Sequence, residues 1–158
     1  MPTSALPPAH IAIVGCGFTG TSAFFQLVER HPVREITIFE ASGRFGPGYA
    51  YQPDECADYL INNTTDSMCL APRNRRAFIE WLQHHPEHAP QLAPKGHLPR
   101  TVYGAFLIDV MRSTLTMAAN KGIRVTCVAA EVTRLREDGG GVELGWAHGR
   151  VRADVALL

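Results

Sequence analysis

The sequence lacks an excess of charge of either sign. Its 158 residues include 15 lysines and arginines and 15 aspartates and glutamates, so its formal net charge at pH 7 is zero. A chain without net charge has no overall field that would attract nucleic acid or an anionic membrane. We therefore expect no nucleic-acid partner, and any partner must be recognised by a local site.

The sequence also lacks a long apolar run. No segment approaches the roughly 20 consecutive apolar residues that a membrane-spanning helix needs. Residues 1–9 show neither the basic nor the apolar region of a secretory signal. We therefore expect a soluble, cytoplasmic protein with no membrane partner, in which residues 1–9 form a flexible lead.

Cysteine pairs at metal-binding or redox spacing are absent as well. The four cysteines lie far apart and form no Cys-x-x-Cys motif: Cys16, Cys56, Cys69 and Cys127. We expect them to be reduced thiols. His84 and His88 have the spacing of two ligands on one helix face, but Pro86 lies between them and should end the helix. The sequence therefore predicts no metal site.

The first forty residues indicate a strand, a helix and a second strand. Residues 11–14 are apolar, which predicts a buried parallel strand. Residues 18–30 place apolar side chains at helical spacing before Pro32. Residues 35–40 are rich in β-branched residues and predict the second strand. Together these segments fill about 30 residues, the length of a βαβ unit.

Three glycines connect the first strand to the helix in the pattern G-x-G-x-x-G. Gly15 permits a tight turn, Gly17 lets the backbone approach a pyrophosphate, and Gly20 lets the helix pack closely on the strand. The helix N-terminus offers free N–H groups and a partial positive charge to a phosphate. Glu40 follows twenty residues after Gly20, where a carboxylate accepts hydrogen bonds from ribose hydroxyls and repels a 2′-phosphate. The motif therefore favours FAD or NAD over NADP.

The rest of the chain alternates loops, helices and short strands. Residues 41–53 predict an irregular loop, residues 76–85 and 102–120 two helices, and residues 123–128 a strand. The residues that follow alternate strand-like runs with turn signals, which predicts a β-meander.

The second and third predicted strands are far apart along the chain. About eighty residues separate Glu40 from Ile123, whereas a plain nicotinamide-binding domain needs only a short crossover there. We therefore expect a helical insertion at about residues 54–121, which forms a wall beside a second ring system within one domain over residues 10–158. This length disfavours a plain NAD dehydrogenase domain.

Several segments resemble one known family. They read IAIVGCGFTG, ITIFE, GPGYAY, LINNTTDSM, AFIEWL, LPRTVYGAFL and RADVALL, and they span the chain from His10 to Leu158. As a set they resemble the FAD-NAD(P)-binding proteins of bacteria and, more distantly, the flavin-containing and N-hydroxylating monooxygenases. The resemblance implies an α/β fold, a Rossmann-like FAD-binding domain with a parallel sheet, a helical insertion after the second strand and a C-terminal β-meander.

The resemblance also implies a set of FAD-binding residues. It puts the adenosine at Glu40, the pyrophosphate over residues 15–20, the ribityl chain beside residues 46–49, and the isoalloxazine near Asn62 and Met68, which keep an N-x5-M spacing. The residues expected to bind the cofactor are Gly15, Cys16, Gly17, Phe18, Thr19, Gly20, Glu40, Ala41, Arg44, Gly48, Tyr49, Asn62, Met68 and Arg100. The small side chain of Cys16 is expected to fit between the strand and the phosphates. Arg100 is expected either to reach a cofactor phosphate or to pair with an acid.

Asn62 and Asn63 are the catalytic candidates. An amide both donates and accepts hydrogen bonds, so it can meet the N5 and C4 carbonyl region of a flavin without adding charge. Asparagine also caps turns, because it tolerates left-handed backbone. The sequence leaves both interpretations open.

Two functions from different classes follow. The first is a FAD-dependent oxidoreductase, including an NAD(P)H-dependent monooxygenase, that acts on a small-molecule substrate. The second is a non-catalytic module that binds FAD or NAD. Relatives continue after RADVALL with a glycine turn that touches the flavin, and the sequence contains no second G-x-G-x-x-G for NADPH. We therefore expect a truncated, N-terminal FAD-binding portion of a larger oxidoreductase, which is inactive by itself.

Overall fold

The computed structural model describes residues 9–71, 73–88 and 95–158. The strands are β1 (His10–Val14), β2 (Glu35–Phe39), β3 (Arg124–Val128), β4 (Arg134–Glu137), β5 (Val142–Trp146), β6 (Gly149–Ala153) and β7 (Val155–Leu157). The helices are α1 (Phe18–Arg30), α2 (Ala77–His84) and α3 (Arg100–Asn120), with a 3-10 turn at Thr65–Ser67. The predicted lead over residues 1–9 lies outside the described residues except for Ala9.

The strands form two sheets. A parallel sheet has the order β3-β2-β1-β7, and an antiparallel sheet has the order β4-β5-β6. β1 and β2 are neighbours with His10 opposite Glu35 and Val14 opposite Phe39. The predicted βαβ unit is therefore confirmed, and its strand and helix bounds agree with the prediction to within one residue.

The parallel sheet has a different apolar layer on each face. Ile11 and Ile13 of β1 pack with Phe24 of α1 and Met111 of α3 in one buried cluster. Ala12, which alternates with them, belongs to a second buried cluster that includes residues of β2, β5 and β6. This alternation follows from the two-residue period of a strand. The sheet thus lies between the helices and the antiparallel meander.

α3 connects β2 to β3 and packs against α1. It is the crossover helix that joins two neighbouring parallel strands, as a βαβ unit requires. The insertion that we predicted at about residues 54–121 therefore includes this helix. The chain in excess of an ordinary crossover consists of residues 41–99, which contain the 3-10 turn and α2.

β7 leaves the meander and returns to the parallel sheet. It pairs with β1 on the side opposite β2, with Ile11 opposite Val155 and Ile13 opposite Leu157. The preceding Asp154 accepts hydrogen bonds from the backbone N–H groups of Ala9 (2.7 Å) and His10 (2.9 Å). A parallel sheet with helices and a C-terminal meander confirms the predicted α/β fold class.

Among the helices of the described residues, none combines the length and the apolar character that crossing a lipid bilayer would require.

Candidate functional site

The glycine turn joins β1 to α1 without side chains in its way. Gly15 has a φ of +90°, a backbone conformation that favours glycine, and its N–H donates to the carbonyl of Phe39 (2.8 Å). A Cβ on Gly20 would lie 1.9 Å from the Gly15 oxygen, so only glycine lets α1 begin this close to the strand. No side chain caps α1, and its first turn contains no acid. Its terminal N–H groups can therefore meet an anion.

The loop over residues 44–51 packs directly on this turn. The Gly46 N–H donates to the Cys16 carbonyl (2.8 Å). Gly48 has a φ of +57°, and a Cβ on it would lie 2.5 Å from the Gly17 Cα. Conversely, a Cβ on Gly17 would lie 3.2 Å from the Gly48 Cα. The two glycines thus let two backbones touch at the point where the motif puts a pyrophosphate.

Gly104 of α3 holds the other side of the same loop. A Cβ on Gly104 would lie 2.0 Å from the Tyr51 carbonyl oxygen, so the helix and the loop can meet only at a glycine. Our sequence reasoning did not single out this residue. A glycine inside a helix lowers the stability of that helix by about 1 kcal/mol relative to alanine. A glycine in the middle of a predicted helix therefore indicates a packing role, and the sequence contained this indication.

Glu40 lies at the end of β2 and is fixed by three hydrogen bonds. Its carboxylate accepts from the backbone N–H of Cys16 (2.8 Å) and from the N–H (3.0 Å) and hydroxyl (2.7 Å) of Ser42. Burial works to raise the pKa of the Glu40 carboxyl, but the hydrogen bonds from Cys16 and Ser42 together hold that pKa below its ordinary value. The carboxylate is therefore charged at neutral pH and bound to the backbone of the turn.

The side chain of Cys16 does not lie between the strand and the phosphate site, where we expected it. Its Sγ is fully buried in the helix-side core, 3.8 Å from the Thr21 Oγ1 and 3.8 Å from the Met111 Sδ. Burial raises the pKa of the Cys16 thiol to about 11, which makes it an inert packing group. The expected place between strand and phosphates is wrong because the side chain of this residue turns inward from the bend. Only its backbone faces Glu40 and the loop.

A pocket of about 450 Å³, here called the turn pocket, opens beside the glycine turn. Its lining includes six of the predicted cofactor residues: Gly15, Gly17, Phe18, Thr19, Gly20 and Tyr49. Tyr49 is 95% exposed although it lies at the wall of this pocket. An open surface with bare backbone amides fits the diphosphate of a dinucleotide.

A second pocket of about 280 Å³, here called the amide pocket, lies beyond the same loop. It is lined by Ala50, Tyr51, Ile61, Asn62, Asn63, Met68 and Arg100. The fold thus brings together four predicted site residues that are up to 38 positions apart, from Asn62 to Arg100. Ala50 and Tyr51 line both pockets. The Tyr51 ring is held edge-on against the buried ring of Tyr103, with centroids 5.1 Å apart.

Arg100 neither pairs with an acid nor contacts the glycine turn. Its Nε donates to the Leu60 carbonyl (3.1 Å), and its Nη2 donates to the Asn62 Oδ1 (3.3 Å). Among the described residues no carboxylate lies within ion-pair distance of it. The guanidinium is therefore held by two neutral acceptors, with no carboxylate of the described residues paired to it.

Five predicted cofactor residues line neither pocket: Cys16, Glu40, Ala41, Arg44 and Gly48. Cys16, Glu40 and Gly48 belong to the turn and its packing, as described above, whereas Ala41 and Arg44 lie further along the loop. Ala41 is exposed in the turn after Glu40. Arg44 donates through Nη1 to the Gln52 Oε1 (2.7 Å) and forms an ion pair with Asp54 (2.6 Å). These contacts fix the shape of the loop and leave Arg44 without a role in the lining of the turn pocket.

The histidines near the end of α2 form an aromatic stack. The rings of His85 and His88 lie 4.3 Å and 5.1 Å from the ring of Trp81, and the His84 Nδ1 lies 2.7 Å from the Glu80 carbonyl oxygen. Within residues 9–71, 73–88 and 95–158, no three histidine, cysteine or acidic side chains are grouped as metal ligands.

The sequence matches a family model over most of its length and a curated relative at lower similarity. A family model described as FAD-NAD(P)-binding matches residues 12–158. The chain is 27% identical over 143 residues to the Uncharacterized protein YdhS of Escherichia coli (strain K12), which covers 85% of this chain and 26% of that protein. The chain therefore spans about a quarter of the length of this curated relative.

Three solved structures have a similar fold. The Diels-Alderase PyrE3 of the pyrroindomycin pathway gives a TM-score of 0.56 at 17% identity, over 94% of this chain and 31% of that one. The structure of CtdE in complex with FAD gives a TM-score of 0.56 at 15% identity, over 94% of this chain and 37% of that one. FqzB gives a TM-score of 0.53 at 17% identity, over 96% of this chain and 36% of that one. At these identities the likeness establishes the fold, and it agrees with the predicted Rossmann-like architecture.

Proposed function

Since the chain belongs to the FAD-NAD(P)-binding protein family, we propose that it is the FAD-binding portion of a flavin-dependent oxidoreductase. The family confirms FAD as the cofactor that the sequence predicted. The finer parts of the proposal are that NAD(P)H is the co-substrate, that the reaction is a monooxygenation of a small molecule, and that the protein acts in the cytoplasm.

One observation carries the proposal: the turn pocket and the amide pocket share Ala50 and Tyr51 as a common wall. A flavin dinucleotide needs a phosphate site and a ring site at a fixed separation along one extended molecule. A plain nicotinamide domain reaches its next strand through a short crossover, whereas this chain has residues 41–99 before its crossover helix. The long segment between β2 and α3 supplies Ala50, Tyr51 and Asn62, which form that second site.

The residues of the chain have separable roles in this proposal. The backbone from Gly15 to Gly20 binds the diphosphate, and the α1 N-terminus favours its negative charge. Glu40 accepts from the ribose hydroxyls of the adenosine while it stays bonded to Cys16 and Ser42. An ionised carboxylate has about four acceptor sites, so it can serve both sets of donors.

The ring system of the cofactor would lie beside the amide pocket, along the wall that Ala50 and Tyr51 form between the two pockets. Bound FAD supplies the transfer of electrons there. The Asn62 amide, whose Oδ1 is occupied by Arg100, turns its N–H donors toward other acceptors, and Met68 provides a buried apolar contact. The alternative that Asn62 only caps a turn predicts that its replacement leaves the redox behaviour of the protein unchanged.

The test uses the complete gene product. We expect the purified protein to be yellow, with flavin absorption bands, and the bands to bleach when NADH or NADPH is added without oxygen. Flavin bands that neither nucleotide changes would support a non-catalytic FAD-binding module instead. A colourless protein that is stabilised by NAD and not by FAD would contradict the proposal.

A further inference from the structure

The amide pocket contains a positive charge that is paired with no carboxylate of the described residues. Arg100 is the first residue of α3 and lies in the lining of this pocket. Six arginines lie within 4.0 Å of a carboxylate: Arg30, Arg44, Arg112, Arg124, Arg150 and Arg152. The others of the described residues have no such partner, and among them only Arg100 lines the amide pocket. The segments outside the described residues are 1–8, 72 and 89–94, and they contain no aspartate or glutamate. The missing partner of Arg100 is therefore not an acid in those segments.

The guanidinium is held in one orientation by neutral acceptors. A guanidinium has five N–H donors, and Arg100 uses one on the Leu60 carbonyl and one on the Asn62 Oδ1. Three donors remain. Because both anchoring groups are uncharged, they fix the position of the cation without cancelling its charge.

The neighbouring amides add donors and no negative charge. Asn62 accepts from Arg100 through Oδ1, so its two N–H donors are left for other acceptors. Asn63 lies beside it in the same lining, and its side chain has no hydrogen bond within the described chain. The polar part of the pocket is thus rich in donors, whereas Tyr51 and Met68 form an apolar wall. The complementary ligand is a planar anion attached to an apolar body.

We propose that the amide pocket binds the carboxylate of the substrate through Arg100, with Asn62 and Asn63 as further donors. This inference rests on the proposed function, because it assigns the carboxylate to the substrate of the flavin reaction. A planar carboxylate matches the fork of a guanidinium in two parallel hydrogen bonds. Arg100 is thereby a residue that determines which substrates are accepted.

The test measures binding of simple carboxylates by calorimetry. Benzoate and acetate are titrated into the complete gene product, and benzamide serves as the uncharged counterpart of benzoate. We expect saturable binding of both carboxylates and none of benzamide. In the Arg100→Met variant, affinity for benzoate should fall by about tenfold or more, as expected for the loss of hydrogen bonds to a charged group. Arg100→Lys keeps the charge but cannot form two parallel hydrogen bonds, so its affinity for benzoate should lie between those of the unaltered protein and Arg100→Met.

Arg75→Met is the matched control. Arg75 is exposed near the start of α2 and lies in neither pocket, so its removal takes away the same charge without changing the binding of benzoate. Equal binding of benzoate and benzamide, absence of saturable binding, or unchanged benzoate affinity in both Arg100 variants would overturn the inference.

The flavin absorbance of the same samples separates the inference from the proposed function. Loss of FAD from the Arg100 variants, with benzoate affinity unchanged, would assign Arg100 to the cofactor and overturn the inference alone. A protein without FAD that still binds benzoate through Arg100 would support the anion site and contradict the flavin function.

Discussion

At the scale of single residues, the close contact between Gly17 and Gly48 leaves little room for a side chain at position 17. A Cβ on Gly17 would already approach the Gly48 Cα to 3.2 Å, and the branched side chain of valine extends further into the same space. We expect Gly17→Val to weaken FAD binding by about tenfold or more, since overpacking costs roughly 1–3 kcal/mol. The ratio of flavin absorbance to protein after gel filtration measures this.

Gly145→Ala is the control for this substitution. Gly145 lies in β5, where an added Cβ would meet only the Arg134 Cβ at an ordinary 3.5 Å. We expect this variant to keep the cofactor content of the unaltered protein. Full FAD content in Gly17→Val would show that the turn is not the diphosphate site.

Glu40 makes stability depend on pH in a predictable direction. Its folded pKa is held below the ordinary value of 4.5 by the bonds from Cys16 and Ser42, although burial opposes this. The ionised carboxylate therefore stabilises the fold above pH 4.5, and this stabilisation is lost as the pH falls through the lower folded pKa. Without FAD, Glu40→Gln should lower the free energy of unfolding by about 1 kcal/mol at neutral pH, and the difference should shrink in acid.

Urea unfolding of both proteins over a series of pH values measures this difference. Glu131→Gln is the control, because Glu131 is exposed and its side chain has no hydrogen bond within the described residues. It should leave stability nearly unchanged at every pH. If the deficit of Glu40→Gln persisted undiminished well below pH 4.5, the carboxylate charge would not be its cause.

At the scale of elements, α3 and the loop over residues 44–51 act as one unit. Gly104→Ala in an isolated helix would stabilise it by about 1 kcal/mol. Here the new Cβ would lie 2.0 Å from the Tyr51 carbonyl oxygen, so the loop must move away from the helix. We therefore expect lower thermal stability and lower FAD affinity, the opposite sign to the helix propensity. Thermal unfolding and flavin content measure the two effects.

Ser113→Ala provides the comparison within the same helix. Ser113 is exposed, and its hydroxyl only returns to the Val110 carbonyl (3.0 Å). Alanine there should be neutral or slightly stabilising, with FAD content unchanged. An increase in stability for Gly104→Ala equal to that for Ser113→Ala would mean that the loop does not rest on the helix.

The limits of sequence-based prediction differ between these elements. Apolar periodicity, glycine and proline predicted the bounds of β1, α1 and β2 to within one residue, because those signals are local. The role of Gly104 could not be predicted in this way, because the residue packs against the carbonyl oxygen of Tyr51, which lies 53 positions earlier in the chain. The same holds for α3, whose helical pattern was evident but whose position as the crossover helix depends on strand pairing.

At the scale of the whole molecule, the candidate site combines segments that are distant in sequence. The motif predicted the turn pocket because all its glycines lie within six residues of each other, from Gly15 to Gly20. The neighbours of Arg100 could not be predicted, since Leu60 and Asn62 reach it only through folding of the insertion. Cys16 shows the same limit, because the direction of a side chain at a bend depends on backbone geometry.

This arrangement predicts that FAD stabilises the whole domain by binding to the folded state alone. At a free FAD concentration one hundred times its Kd, the gain in unfolding free energy should be about 2.7 kcal/mol. For a domain of 158 residues, that corresponds to a rise of roughly 5–10 °C in the Tm of the domain's own unfolding transition. The Tm of the cofactor-free gene product, measured against FAD concentration, tests this.

FMN is the matched ligand for this measurement, because it carries the same ring system and one phosphate but no adenosine. It cannot use Glu40 or the full diphosphate site over Gly15, Gly17 and Gly20, so at equal concentration it should raise the Tm far less than FAD. In Gly17→Val the difference between the two ligands should disappear. Equal stabilisation of the unaltered protein by FMN and FAD would show that the adenosine half of the cofactor makes no contact with this chain, and the assignment of Glu40 to the ribose would be wrong.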